Sequence, residues 1–205
     1  MNRYKETSDG LSCSIQDMQG LIFSGTVDAV QNDCDVLAAT ILEMARAKGW
    51  KIAAAESLTA GLLADAFVRI PGASDVFLGS AVTYDINAKA SVLGVDADLL
   101  RTEGAVHPEV ARQMAFCAVR RYDQLQYDGH ILGLSTTGVA GPGPDAGKPA
   151  GLVYVGVSAP THIAGGSRET VAVKLHLSGT REEIRHLSVL NALRAVTELT
   201  LSLGE

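Results

Sequence analysis

KIAAAES (residues 51–57), LTAGLLADAFVRI (58–70) and VFLGSAVTY (76–84) follow one another along the chain, and their reading decides the fold class. The first reads as a short buried strand. The second carries apolar residues at helical spacing until Pro71 and Gly72 stop it, and the third reads as another strand. A strand, a helix and a strand in this order form a βαβ unit, which calls for a parallel pair in a sheet covered by helices.

The neighbouring segments extend this pattern. Upstream, DVLAATILEMARAKGW (35–50) repeats apolar residues at helical spacing, with Asp35 placed to cap its start and Gly49 its end. Downstream, after a mixed segment over 89–100, HPEVARQMAFCAVRRYDQL (107–125) puts Pro108 at a first helical position and keeps an apolar stripe at Val110, Met114 and Ala118. HILGLSTTG (130–138), LVYVGVSAP (152–160) and ETVAVKLHLSG (169–179) read as strands, the last two antiparallel. A long helix closes the chain from Thr180, with Glu183 in capping-box spacing. The expected architecture is a single layered α/β/α domain with a mixed sheet over residues 35–205. Residues 1–34 show only one short apolar patch, LIF (21–23), and are expected to be an extension.

A chain of 205 residues, 47% of them hydrophobic, suits one well-buried core. Its formal charge of -6, with no basic run, opposes nucleic-acid binding. The N-terminal residues do not resemble a signal peptide, and no segment approaches 18 uninterrupted apolar residues. The expectation is a cytoplasmic protein with no membrane partner. Cys13, Cys34 and Cys117 are too few and too scattered for a disulfide framework or a zinc site, and no clustered metal-ligand spacing occurs. Neither a metal nor a cofactor is expected.

Three stretches carry residue types that a plain core does not need. In Glu56-Ser57-Leu58-Thr59-Ala60-Gly61, a strand end meets a helix start, so backbone N–H groups lie near the hydroxyls of Ser57 and Thr59. Simple helix capping is the plainer account of both hydroxyls. In AVTYDINAK (81–89), Tyr84 and Lys89 converge only if Tyr84 ends the strand and Lys89 sits on the following turn or helix. A lone lysine is otherwise a solvated surface charge. In STTGVAGPGPDAGKPAG (135–151), glycines crowd around three prolines without the order of a Walker loop or a GxGxxG fingerprint. Such a loop either brings backbone amides close to a ligand or merely connects two strands. GLSTTG is out of register for a GxSxG nucleophile elbow, and none of the five histidines is an assignable triad partner.

Taken together, AESLTAG, RIPGASDVFLGSAVTYDINAK, LGVDADLL, EGAVHPEVARQMA, STTGVAGPG, KPAGLVYVGV and SGTREEIR resemble, in order and spacing, the CinA C-terminal domain family, the nicotinamide mononucleotide deamidases. The resemblance implies a serine amidohydrolase that cleaves the carboxamide of this pyridine nucleotide, and a homodimer. It places the nucleophile on Ser57, the general base on Lys89 and an assisting tyrosine on Tyr84. It also makes Thr59, Ala60, Gly61, Thr137, Gly138, Gly141 and Gly143 candidates for substrate binding.

The chain departs from the family pattern at Leu58 and Ala60, at Asp85, Ile86 and Asn87, at His107 and at Thr180. An amidohydrolase for another small amide and a non-catalytic nucleotide-binding protein are the alternatives. For Lys89 to act as a base it must be desolvated, since an ordinary lysine with a pKa of about 10.4 is almost entirely charged at neutral pH.

Overall fold

The computed structural model describes residues 15–18, 26–161 and 168–202. Its elements are β1 (Ile15–Met18), α1 (Val27–Ala47), β2 (Lys51–Glu56), α2 (Leu62–Val68), β3 (Phe77–Val82), α3 (Ile86–Ala88), α4 (Ala97–Glu103), α5 (Pro108–Tyr122), β4 (Ile131–Gly138), β5 (Leu152–Ser158), β6 (Thr170–His176) and α6 (Arg181–Ser202). The strands form one sheet in the order β1-β6-β5-β4-β2-β3. β2 runs parallel to both β3 and β4, as the βαβ pattern requires, while β4, β5 and β6 pair antiparallel. The result is the mixed α/β sheet expected from the sequence.

Alternation along the strands builds two cores, one on each face. Ile52 and Ala54 of β2, with Leu132 and Leu134 of β4, meet α1, α2 and α6. Ala53 and Ala55, with Ile131, meet α5 and the segment around Leu93. The period of two is therefore legible even in strands buried on both sides. α5 lies very close to the sheet. A Cβ added at Gly133 would stand 2.3 Å from Ala115 O, and one added at Gly156 would stand 2.3 Å from Ala111 O. Glycine at these positions lets the helix backbone seat directly on β4 and β5.

Two helix starts differ from the expectation, and α2 is one of them, beginning at Leu62 and not at Leu58. α1 starts at Val27, not after Asp35: the Thr26 hydroxyl accepts from the Ala29 amide, and Val30 and Cys34 continue the buried stripe of Ala38, Ile41 and Leu42. Polar residues between Val30 and Cys34 dilute that stripe in the sequence and obscure its period. Asp35 is paired instead with Arg69, whose guanidinium donates to both of its carboxylate oxygens and holds that carboxyl below its ordinary pKa. The expected extension, residues 1–34, is accordingly part helix. Its residues 15–18 add the edge strand β1 parallel to β6, and the remainder of that segment, Cys13 included, lies outside the described residues. Among the described residues no helix is long and apolar enough to cross a membrane.

The topology opens a crevice at the carboxyl ends of β2 and β3. From β2 the chain turns into α2 on one face; from β3 it passes through α3 toward α5 on the other. Adjacent strands whose connections leave to opposite faces frame a cleft between them, the usual place for a ligand in an open α/β sheet.

Candidate active site

Ser57 immediately follows β2, and its amide donates to Thr136 O of neighbouring β4 at 3.0 Å. Lys89 reaches the same place from the opposite connection. Asp85 caps α3 by accepting from the amides of Asn87 and Ala88, and the chain then widens into a π-helical turn over Lys89–Leu93. Gly94, at φ +97°, closes that turn by donating to Lys89 O and Ala90 O. A left-handed conformation of this kind is readily accessible to glycine, and π-turns recur where a side chain must be aimed.

The Lys89 side chain is completely buried. Its Nζ lies 3.0 Å from Ser57 Oγ, 2.6 Å from Thr83 O and 3.3 Å from Tyr84 O. Burial disfavours its charged form and lowers its pKa from 10.5 to about 8, against a smaller opposing pull from Asp85. A solvated surface lysine is therefore ruled out. Thr83 Oγ1 is also buried and has no hydrogen-bond partner among the described residues.

Tyr84 lies two residues past the end of β3, near the strand end that convergence required, but its hydroxyl is directed elsewhere. The ring is largely exposed and its oxygen accepts from Arg181 Nη2 at 3.1 Å; only its backbone carbonyl meets Lys89. The structure brings together Ser57 and Lys89, and places the Tyr84 hydroxyl on a cavity wall.

That cavity, about 260 Å³, is lined by Leu58, Tyr84, Arg181 and the loop from Gly138 through Gly141 and Gly143 to Asp145. Arg181 also donates to Gly141 O at 2.5 Å, which ties the loop to the first turn of α6. The expected binding residues thus divide. Gly138, Gly141 and Gly143 line the cavity, whereas Thr59, Ala60, Gly61 and Thr137 have other work. Thr59 Oγ1 is buried between Glu56 and Thr136, 2.7 Å from each. The Ala60 amide donates to Ser57 O and the Gly61 amide to Glu56 Oε2. Thr137 Oγ1 donates to Ala105 O. Capping is not the role of the Ser57 and Thr59 hydroxyls either, since α2 begins after Gly61 without a side-chain cap from that residue.

Glu56, Arg181 and Arg185 were not singled out by the sequence reading. Arg185 donates to the carbonyls of Leu58 and Thr59, each at 3.0 Å, and so holds the turn after Ser57 from the α6 side. Arg181 and Arg185 stand four apart at a helix start, a spacing that puts both on one face and was open to notice in SGTREEIR. Among the described residues no cluster of His, Cys, Asp or Glu could hold a metal ion.

Comparison with known proteins gives this arrangement a family. The chain is 40% identical over 184 residues to a CinA-like protein of Nostoc sp., a stretch covering 87% of this chain and 41% of that one. It is 38% identical over 169 residues to a CinA-like protein of Frankia casuarinae, covering 82% and 36%. It thus spans well under half the length of these curated relatives. The crystal structure of the competence/damage inducible protein CihA from Agrobacterium tumefaciens superposes with a TM-score of 0.70 at 33% identity, covering 90% of this chain and 99% of that one. The sequence pattern of the CinA C-terminal domain matches residues 35–200, and the chain belongs to that family.

Proposed function

We propose that the chain is a serine amidohydrolase that converts nicotinamide mononucleotide to nicotinic acid mononucleotide and ammonia. The observation that carries this proposal is a fully buried Lys89 amine 3.0 Å from the Ser57 hydroxyl, beside a cavity whose wall holds the Arg181 guanidinium. A neutral amine has two N–H donors and one lone pair. With its donors on the carbonyls of Thr83 and Tyr84, the lone pair of Lys89 faces Ser57 and accepts its proton.

Ser57 Oγ then bonds the carboxamide carbon while its proton passes to Lys89. The Leu58 amide, on a residue that lines the cavity, makes no hydrogen bond among the described residues and receives the developing oxyanion. Lys89 returns the proton to the amide nitrogen, the C–N bond breaks and ammonia leaves an acyl ester on Ser57. A water deprotonated by Lys89 attacks that ester, the bond between Ser57 Oγ and the acyl carbon breaks, and Lys89 returns the proton to Ser57 Oγ as the acid leaves.

At the other side of the cavity, Arg181 spends N–H donors on Gly141 O and the Tyr84 hydroxyl and has others to offer a phosphate. A nucleotide anchored there through its phosphate presents its carboxamide near Ser57, so that remote binding energy serves the reaction. Purified protein incubated with nicotinamide mononucleotide is expected to yield ammonia and nicotinic acid mononucleotide in equal amounts, read by enzymatic ammonia assay and product mass. Release of free nicotinamide instead would show glycosidic cleavage and refute the proposal.

A further inference from the structure

Glu56 is fully buried, carries a carboxylate and takes no part in the proton transfers above. It accepts five hydrogen bonds. Oε2 receives Thr59 Oγ1 at 2.7 Å, the Gly61 amide at 2.8 Å and the Leu63 amide at 3.1 Å. Oε1 receives the Ala64 amide at 3.0 Å and Ser80 Oγ from β3 at 2.8 Å.

The backbone of Glu56 belongs to β2, in register with Thr136 of β4 and Val82 of β3. Its carboxylate ties back the far end of the turn that begins at Ser57, so both ends of residues 57–61 are fixed on one residue. Within that turn Ala60 holds φ +48°, a left-handed conformation that a residue with a Cβ adopts only when its surroundings hold it there. The same carboxylate satisfies the start of α2 in place of a side-chain cap at Gly61.

We infer that Glu56 is a positioning residue that sets Ser57 Oγ against Lys89 Nζ by clamping the turn between β2 and α2, an inference that rests on the amidohydrolase reading for its kinetic consequence. It acts through geometry: its carboxylate hydrogen-bonds the turn, the start of α2 and Ser80 of β3, and makes no hydrogen bond to Lys89. Losing the clamp therefore misplaces the nucleophile, while Arg181 and the Gly141 loop on the other side of the cavity keep their contacts.

The test is Glu56→Gln, which keeps the shape but turns an N–H donor toward groups that already donate. On nicotinamide mononucleotide its kcat is expected to fall about 100-fold or more, with KM within about threefold. In parallel, the labelling of Ser57 by a fluorophosphonate is followed by intact mass; the serine oxygen bonds phosphorus, fluoride leaves and the hydroxyl proton passes to Lys89. Labelling is expected to slow with kcat. Thr59→Val, which removes one donor to the clamp, is expected to lower kcat and labelling by about tenfold at constant KM, and decides the matter if Glu56→Gln does not fold. Wild-type labelling rates in a folded Glu56→Gln, or in Thr59→Val, would overturn the inference. Because labelling needs no natural substrate, it judges the clamp even if nicotinamide mononucleotide is not turned over.

Discussion

Lys89 Nζ stands 3.0 Å from Ser57 Oγ with two backbone carbonyls as its other neighbours. Burial disfavours its charged form, the Asp85 carboxylate pulls more weakly the other way, and burial prevails to bring the pKa to about 8. The base is thus partly neutral near physiological pH. kcat/KM is expected to rise about tenfold per pH unit below that pKa and to level off above it. A profile flat from pH 6 to 9, two units below to one above on this scale, would remove Lys89 from the role of base.

Ser57→Ala and Lys89→Ala are each expected to reduce amide hydrolysis by about 1,000-fold or more, and the double variant to be little worse than either, because nucleophile and base act as a unit. Tyr84→Phe is expected to lose far less, since its hydroxyl is engaged by Arg181 and not by Ser57 or Lys89. Steady-state kinetics of the four proteins check this. Additive losses for Ser57 and Lys89 would show that they serve separate steps.

What was legible in the sequence follows the range of the forces involved. β2, α2 and β3 could be read because their apolar periods and the Pro71-Gly72 stop are local signals. The pairing of Ser57 with Lys89 came from family resemblance, since 32 residues of chain separate them and only the opposite exits of β2 and β3 bring them together. The contact of Arg181 with Tyr84 spans 97 residues and leaves no local trace. The partner of the Thr59 hydroxyl is hidden for a different reason: a hydroxyl near a helix start has several partners within reach, and only the position of the Glu56 carboxylate shows which it takes.

Arg181 is the cation on the cavity wall, and its replacement separates binding from chemistry. Arg181→Gln is expected to raise KM for nicotinamide mononucleotide about 10- to 100-fold while changing kcat far less, because it touches neither Ser57 nor Lys89. Free nicotinamide has no phosphate, so its hydrolysis is expected to be slow in the wild type and equally slow in this variant. An equal loss on both substrates would place Arg181 in a structural role, holding Gly141 and the loop.

The buried amine also makes a claim about stability. Between pH 8 and 10.5 the unfolded chain carries a proton on Lys89 that the folded chain does not, so folding stability rises with pH across this window. A lowering from 10.5 to about 8 corresponds to about 3 kcal/mol in total. Below pH 8 that cost is borne in full, and Lys89→Met, which fills similar space without a charge, escapes it. The thiols of Cys34 and Cys117 and the phenol of Tyr122, all raised by burial, pull stability the other way as pH rises, but they are common to both proteins and cancel in the difference. Urea unfolding of wild type and Lys89→Met at pH 7, 9 and 10 is therefore expected to show the variant's relative stability falling steadily toward high pH. A difference that does not change with pH would mean that Lys89 is not desolvated in the folded protein, and its fitness as a base would fall with it.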